Sequence, residues 1–395
     1  MAPHEGLVHP KEYDIEDSNV ELIGSDLDHR VKHNSAATEP AWNNGKVGKE
    51  HGLFIWRIEN FEVVPWPKER AGEFYDGDSY IVLHSYKVGD DKLGHDIFFW
   101  LGSKTTQDEA GTAAYKTVEL DEFLHGAATQ HRETQRCPSD EFLALFRHIS
   151  IRSGGVRSGF THVEPEAPKE VLTLLRIFKH PSAGRSIIVH EVEPTWQSLD
   201  DNDVFVLDKG DKIWVWQGKN CSPMEKARAA QVVNDMTLAK HIDVEVLSQL
   251  ESRSSVIVDL LGGDEETKQP NFKFHAPRPG RFSKRADTDE SSARTRKLFR
   301  LSDASGTLSF DLVKEGPRVR SSDLDGKDVF LYDSVDRLWV WEGSSASARE
   351  KSMWLKVAQS YIRQLQESVA EAYLTPIAKV VEGHESSTFL KALEV

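Results

Sequence analysis

The sequence predicts an α+β fold: three tandem domains, each a central mixed β-sheet between a long and a short helix. Three observations carry this. An aspartate opens an apolar run at Asp78, Asp203 and Asp328, and these aspartates fall 125 residues apart each time. Each run leads to a Trp-x-Gly triplet, at 100–102, 216–218 and 341–343. Seven residues past each glycine stands a glutamate: Glu109, Glu225 and Glu350. Spacing this regular marks an internal repeat.

Each copy begins with a strand, predicted at 52–58, 172–178 and 297–301, rich in the Leu, Ile and Phe that sheets favour. The aspartate-led strand and the Trp-x-Gly strand follow. From aspartate to glycine is 15 residues in the second and third copies and 24 in the first, so the first hairpin is expected to be longer, around 88–94. A long helix comes next, predicted at 107–124, 223–239 and 348–366. Each opens on an S/T-x-x-E capping box: Thr106 to Glu109, Ser222 to Glu225, Ser347 to Glu350. Pro223 takes the first helical position of the second. A further strand and a short apolar helix, at 142–146, 256–261 and 388–393, close each unit. The expected organisation is an extended leader at 1–49, domains at 50–163, 168–262 and 297–395, and a Pro-, Gly- and charge-rich linker at 263–296.

Composition narrows the function. The 395 residues carry a formal net charge of -15, which argues against a general nucleic-acid binder. Cys137 and Cys221 are the two cysteines, too few for a secreted disulfide framework, so free thiols in a reducing compartment are expected. The first residues lack the pattern of a signal peptide, and no run reaches the length of a membrane span. A cytoplasmic address follows. Signatures of nucleotide-binding loops, zinc proteases and serine hydrolases are absent, and the 16 histidines form no ligand-spaced cluster. A binding protein is expected, not an enzyme.

The repeated carboxylates admit two explanations. A glutamate at the third position of a helix satisfies a free backbone N–H and complements the helix dipole without binding anything. The aspartate travelling with it opens a strand, where aspartate is disfavoured, yet recurs in all three copies. Two such carboxylates are hard oxygen ligands suited to Ca²⁺, with backbone carbonyls and water completing six to eight positions. The run from Asp323 to Asp328 imitates part of an EF-hand loop. Ser334 stands where that loop needs its glutamate, so a turn is expected.

Several segments resemble the gelsolin family: Leu53-Phe-Ile-Trp-Arg-Ile-Glu-Asn-Phe61, Phe99-Trp-Leu-Gly-Ser103, Gln107-Asp-Glu-Ala-Gly111, Leu120-Asp-Glu-Phe-Leu124, Gln130-His-Arg-Glu133 and Gly154-Gly-Val-Arg-Ser-Gly-Phe160. The resemblance covers residues 50 to 395, and three repeats with a leader are similar to the short severing members. It implies calcium-activated severing of actin filaments, capping of fast-growing ends and binding of monomers. The first domain is implied to bind monomers and cap, and the second to bind the filament side. A calcium site is implied at the Gly77 carbonyl, Asp78, Glu109 and the Val156 carbonyl. A second ion, shared with actin, maps onto Asp121 with carbonyls of Gly126 and Ala128. In the second repeat Asn202, Asp203 and Glu225 correspond, with Asp264 as a candidate fourth ligand. In the third, Lys327, Asp328 and Glu350 correspond.

In the first long helix Ala110, Ala113, Ala114, Thr117, Leu120 and Leu124 form one stripe at helical spacing. Tyr115 and Val118 lie off it, ordinary enough for surface residues. The resemblance puts Tyr115 on the actin-facing side with Phe160 nearby, and aromatics are typical hot spots. Arg147, Arg152, Arg157, Lys169, Arg176, Lys179 and Arg185 concentrate positive charge between the first two repeats. They read as a solvated face or, by the resemblance, as a phosphatidylinositol bisphosphate site. A monomer is expected. A capping-only protein and a phosphoinositide-linked scaffold are the alternatives.

Overall fold

A computed structural model describes residues 36–88, 92–156, 172–179, 187–238, 242–269, 271–277, 295–366, 372 and 375–394. The first unit runs β1 (Gly52–Glu59), β2 (Glu62–Pro65), β3 (Glu73–Tyr75), β4 (Ser79–Val88), β5 (Lys92–Leu101), α1 (Gln107–Phe123), β6 (Ala128–Thr134), α2 (Asp140–Ala144) and β7 (Ile149–Arg152). The second contains β8 (Thr173–Lys179), β9 (Ile187–Val192), β10 (Val204–Asp208), β11 (Lys212–Gln217), α3 (Pro223–Thr237), β12 (Asp243–Ser248) and α4 (Ser255–Leu260). The third contains β13 (Lys297–Ser302), β14 (Ser309–Glu315), β15 (Val329–Asp333), β16 (Leu338–Glu342), α5 (Ala348–Gln366), β17 (Ile377–Val381) and α6 (Ser387–Glu394).

Side chains of a strand alternate between faces, so each sheet builds two cores. Ile81 and Leu83 of β4 pack with Ala113 and Leu120 of α1. Tyr80, Val82 and Trp100 pack on the other face with Phe142 and Leu143 of α2. The second and third units repeat the division, with Ala229 and Val233 on one face and Ile257 and Val258 on the other, then Ala358 and Ile362 against Phe389 and Leu393. Each tryptophan of the Trp-x-Gly triplets faces the short helix. The strand that follows the long helix in each unit, β6, β12 or β17, runs parallel to its neighbour while the hairpin strands pair antiparallel, so each sheet is mixed. The nine extra residues of the first copy extend the β4–β5 ladder, ten residues a side against five in β15 and β16.

The units share sheets. Antiparallel pairing of β17 with β6 joins the first and third into one ten-stranded sheet, while β3 and β7 complete a seven-stranded sheet with the second. Repeat spacing carries no signal for either seam.

Two segments depart from the expected organisation. Within the leader, Trp42 is fully buried and meets Trp56 edge-on at 6.1 Å, and Glu39 pairs with Lys116 of α1 at 2.7 Å. Within the linker, Phe272 and Phe274 pack into the core of the second unit. Both are short apolar anchors in polar sequence, where periodicity has nothing to register.

Candidate functional site

The repeat spacing has a geometric cause. The N–H groups of Gly102, Gly218 and Gly343 donate to the carbonyls of Asp78, Asp203 and Asp328 at 3.0, 3.0 and 3.1 Å. A Cβ on any of these glycines would stand 2.7 to 2.8 Å from that same carbonyl oxygen, so no larger residue fits. The chain then turns into the long helix, whose capping box holds the glutamate seven residues on.

All three glutamates cap their helices. Glu109 Oε2 accepts from the Thr106 N–H at 3.2 Å, Glu225 Oε2 from the Ser222 N–H at 2.7 Å, and Glu350 Oε2 from the Ser347 N–H at 3.0 Å. The second oxygen reaches further in two copies: Glu225 Oε1 accepts from the Lys179 N–H and Glu350 Oε1 from the Asp303 N–H, each at 2.7 Å. Capping is real, then, and the glutamates are also buried beyond what a cap needs.

In the first unit Asp78 is buried, and Oδ1 accepts from the Val156 N–H at 2.8 Å. Arg57 Nη1 lies 3.4 Å from its other oxygen. Burial raises the Asp78 carboxyl above the ordinary range, and the nearby Glu109 charge adds to this. A Cβ on Gly155 would sit 2.4 Å from Asp78 Oδ1, and one on Gly77 would sit 2.4 Å from the Gly154 carbonyl. Two buried carboxylates in mutual repulsion, inside a glycine-lined wall of backbone, fit a hard cation.

In the second unit Asp203 is fully buried, and its Oδ2 receives Arg176 Nε at 2.7 Å and Nη2 at 2.6 Å. Arg176 is itself 1% exposed. Its assignment to a phosphoinositide surface is corrected: a buried guanidinium fixed on a carboxylate cannot meet a headgroup. Asp264 is also corrected. It is exposed and accepts from the Thr267 N–H at 3.0 Å, capping its own turn, because the chain beyond α4 folds over locally. The Asn202 N–H and side chain turn to Asp200.

In the third unit Asp328 is buried, while Lys327 is exposed with its N–H on Asp325. Glu350 is raised by burial, with the Asp303 carboxyl beside it. The sequence reading missed Asp303, which lies just past the first strand and has no counterpart in the repeat spacing. The turn expected in the run from Asp323 to Asp328 is present at 326–327.

Asp121 is buried under the third unit. It accepts from the Ala128 N–H at 3.0 Å and from Gln130 at 2.7 Å, and Lys379 of β17 draws its carboxyl down against a larger upward push from burial. Gly126 turns the chain at φ 70° and donates to the Asp121 carbonyl at 2.9 Å. Tyr115 is 46% exposed and Val118 is half-buried on the same helix. Phe160, Arg157, Lys169 and Arg185 lie outside the described residues. Arg147 and Lys179 are exposed, and Arg152 faces Glu191 at 3.3 Å. Neither Cys137 nor Cys221 is in a disulfide. Among the described residues no three His, Cys, Asp or Glu side chains gather as a metal cluster.

Fold and sites together define a three-repeat α+β binding protein in which each repeat buries an aspartate ahead of a strand and a glutamate at the cap of the long helix. The family model described as the gelsolin repeat matches residues 60–143 and 185–256. Gelsolin-like protein 2 of Lumbricus terrestris is 38% identical over 98% of this chain and 99% of its own length. Severin of Echinococcus granulosus is 34% identical over 98% of this chain and 99% of its own. Cytoplasmic gelsolin of Homarus americanus is 36% identical over 87% of this chain and 44% of its own. The chain belongs to the gelsolin family.

Proposed function

We propose that this chain regulates actin filaments under calcium control, binding monomers, capping fast-growing ends and severing. The observation that carries the proposal is the buried aspartate and buried capping glutamate that recur in all three units, with Asp78 in the first held by the Val156 N–H and only distantly by Arg57 at 3.4 Å. Calcium would be held by Asp78 and Glu109, by Asp203 and Glu225, and by Asp328 and Glu350, each joined by backbone oxygens. Its role is structural: a divalent charge relieves the repulsion within each pair.

The closed arrangement supports regulation. Asp121, the implied ligand of an actin-shared ion, lies beneath β17, so the first unit must part from the third before that ligand can meet a partner. Tyr115 is already outward and is the proposed contact. Arg147 and Lys179, both exposed, are the described basic residues proposed to meet phosphatidylinositol bisphosphate, with Arg152 at the edge. The proposed address is the cytoplasm and its actin cytoskeleton. No helix among the described residues is long and apolar enough to cross a membrane.

Titrating fluorescently labelled actin monomers with the full chain tests the proposal. With calcium the chain should bind, and Tyr115→Ala should weaken binding by roughly thirtyfold or more, as loss of a hot-spot aromatic does. With a chelator binding should disappear. Equal affinity with and without calcium would remove the regulatory claim, and equal affinity of Tyr115→Ala would place the interface elsewhere.

A further inference from the structure

One guanidinium in the second unit holds two things that calcium would treat differently. Arg176 directs Nε and Nη2 at the same oxygen of Asp203, and in addition Nη1 donates to the Pro277 carbonyl at 2.9 Å and Nη2 to the Ala276 carbonyl at 3.3 Å. Ala276 and Pro277 end the described stretch that leads towards the third unit. That stretch lies along the loop ahead of Asp203. The Asp201 N–H donates to the Phe274 carbonyl at 2.9 Å, the Phe274 N–H returns to Asp201 Oδ1 at 3.1 Å, and the Ala276 N–H reaches the Leu199 carbonyl at 3.1 Å.

The other units lack this clamp. Arg57 occupies the same register position, opposite Tyr80 as Arg176 is opposite Phe205. Its guanidinium turns to Glu59 and leaves Asp78 at 3.4 Å. Arg300, opposite Phe330, is exposed. Only in the second unit are the carboxylate and a chain segment tied to one buried cation among the described residues.

We propose that Arg176 couples the second calcium site to the segment 272–277: without calcium it holds Asp203 and that segment together, and calcium on Asp203 and Glu225 releases the segment. The proposal rests on the calcium reading of that site. The physical basis is competition. A calcium ion takes carboxylate oxygens at about 2.3–2.6 Å and repels a guanidinium fixed on the same group. Once Arg176 leaves Asp203, its bonds to the Ala276 and Pro277 carbonyls lose their anchor. Calcium at the second site thereby loosens the path to the third unit.

Hydrogen–deuterium exchange and calcium calorimetry on the full chain test this together, in wild type, Asp203→Asn and Arg176→Met. In wild type, calcium should speed exchange across 271–277 by about tenfold or more, since that stretch would open locally. In Arg176→Met the stretch should exchange fast without calcium. The calcium equivalent removed by Asp203→Asn should bind Arg176→Met about tenfold more tightly, its competitor being gone. If Asp203→Asn removes an equivalent while wild-type exchange ignores calcium and Arg176→Met binds like wild type, the site stands and the coupling falls. If Asp203→Asn removes no equivalent, the second site itself is lost and the coupling with it. Should Arg176→Met fail to fold, Arg176→Lys keeps the charge without the fork and should show a smaller gain in calcium affinity. The wild-type exchange result decides the proposal in either case.

Discussion

Glu109 shows how one side chain serves two ends. Its Oε2 accepts from the Thr106 N–H at 3.2 Å and the Thr106 and Thr105 hydroxyls at 3.0 and 3.3 Å, a load that any amide oxygen could share. Glu109→Gln should therefore fold with a stability loss within about 1 kcal/mol, the size of an ordinary capping change. Calcium affinity at the first site should fall at least roughly tenfold, because a neutral amide is a poorer calcium ligand than a carboxylate. Thermal unfolding with and without calcium, alongside calorimetry, checks both. An unchanged calcium titration would make Glu109 a cap and nothing more. At this scale the sequence was informative about the aspartates and glutamates, since backbone geometry fixes their spacing. It could not reveal Arg176, which reads as one of the basic residues concentrated between the first two repeats until the sheet register turns it inward.

Helices and strands were legible where periodicity or a cap marks them. α5 has the bounds its pattern predicts, and α1 ends one residue before the expected stop. α3 is shorter by two, since it stops at Thr237. Segments held by single aromatics were not legible. Trp42 is buried against Trp56, with its indole N–H on the Ala36 carbonyl at 3.0 Å, inside a stretch with no apolar period. Trp42→Ala should cost about 3–5 kcal/mol, the range for emptying a large aromatic site. Denaturant unfolding of the full chain would read this. A loss below about 1 kcal/mol, typical of an exposed position, would mean that the segment packs only loosely on the first unit.

Across the whole molecule, the seam between the first and third units decides what the chain can present. Beside β6 and β17, Arg337 reaches Glu141 at 2.6 Å from the third unit, and Lys379 holds Glu342 at 2.8 Å next to Asp121. Arg337 holds the Glu141 carboxyl below its usual range against the effect of burial. Arg337→Ala leaves Glu141 and Glu133 facing the seam without that charge. Glu141 is about a third exposed, so solvent screens the pair and its loss should cost on the order of 1 kcal/mol. The variant should therefore open at lower calcium, seen as a larger radius of gyration in small-angle X-ray scattering. An unchanged scattering titration would assign the seam to other contacts. None of this could be read from three repeats aligned on one another, because a seam pairs unlike parts of different copies.

The central claim is that calcium turns this chain on filaments. Single-filament fluorescence microscopy, with the full chain and either calcium or a chelator, tests it most directly. The account predicts breaks along filaments and arrested fast-growing ends in calcium, with intact growing filaments in chelator. Arrested ends without breaks would reduce the function to capping, and filaments unaffected in both conditions, or cut equally in both, would contradict the account.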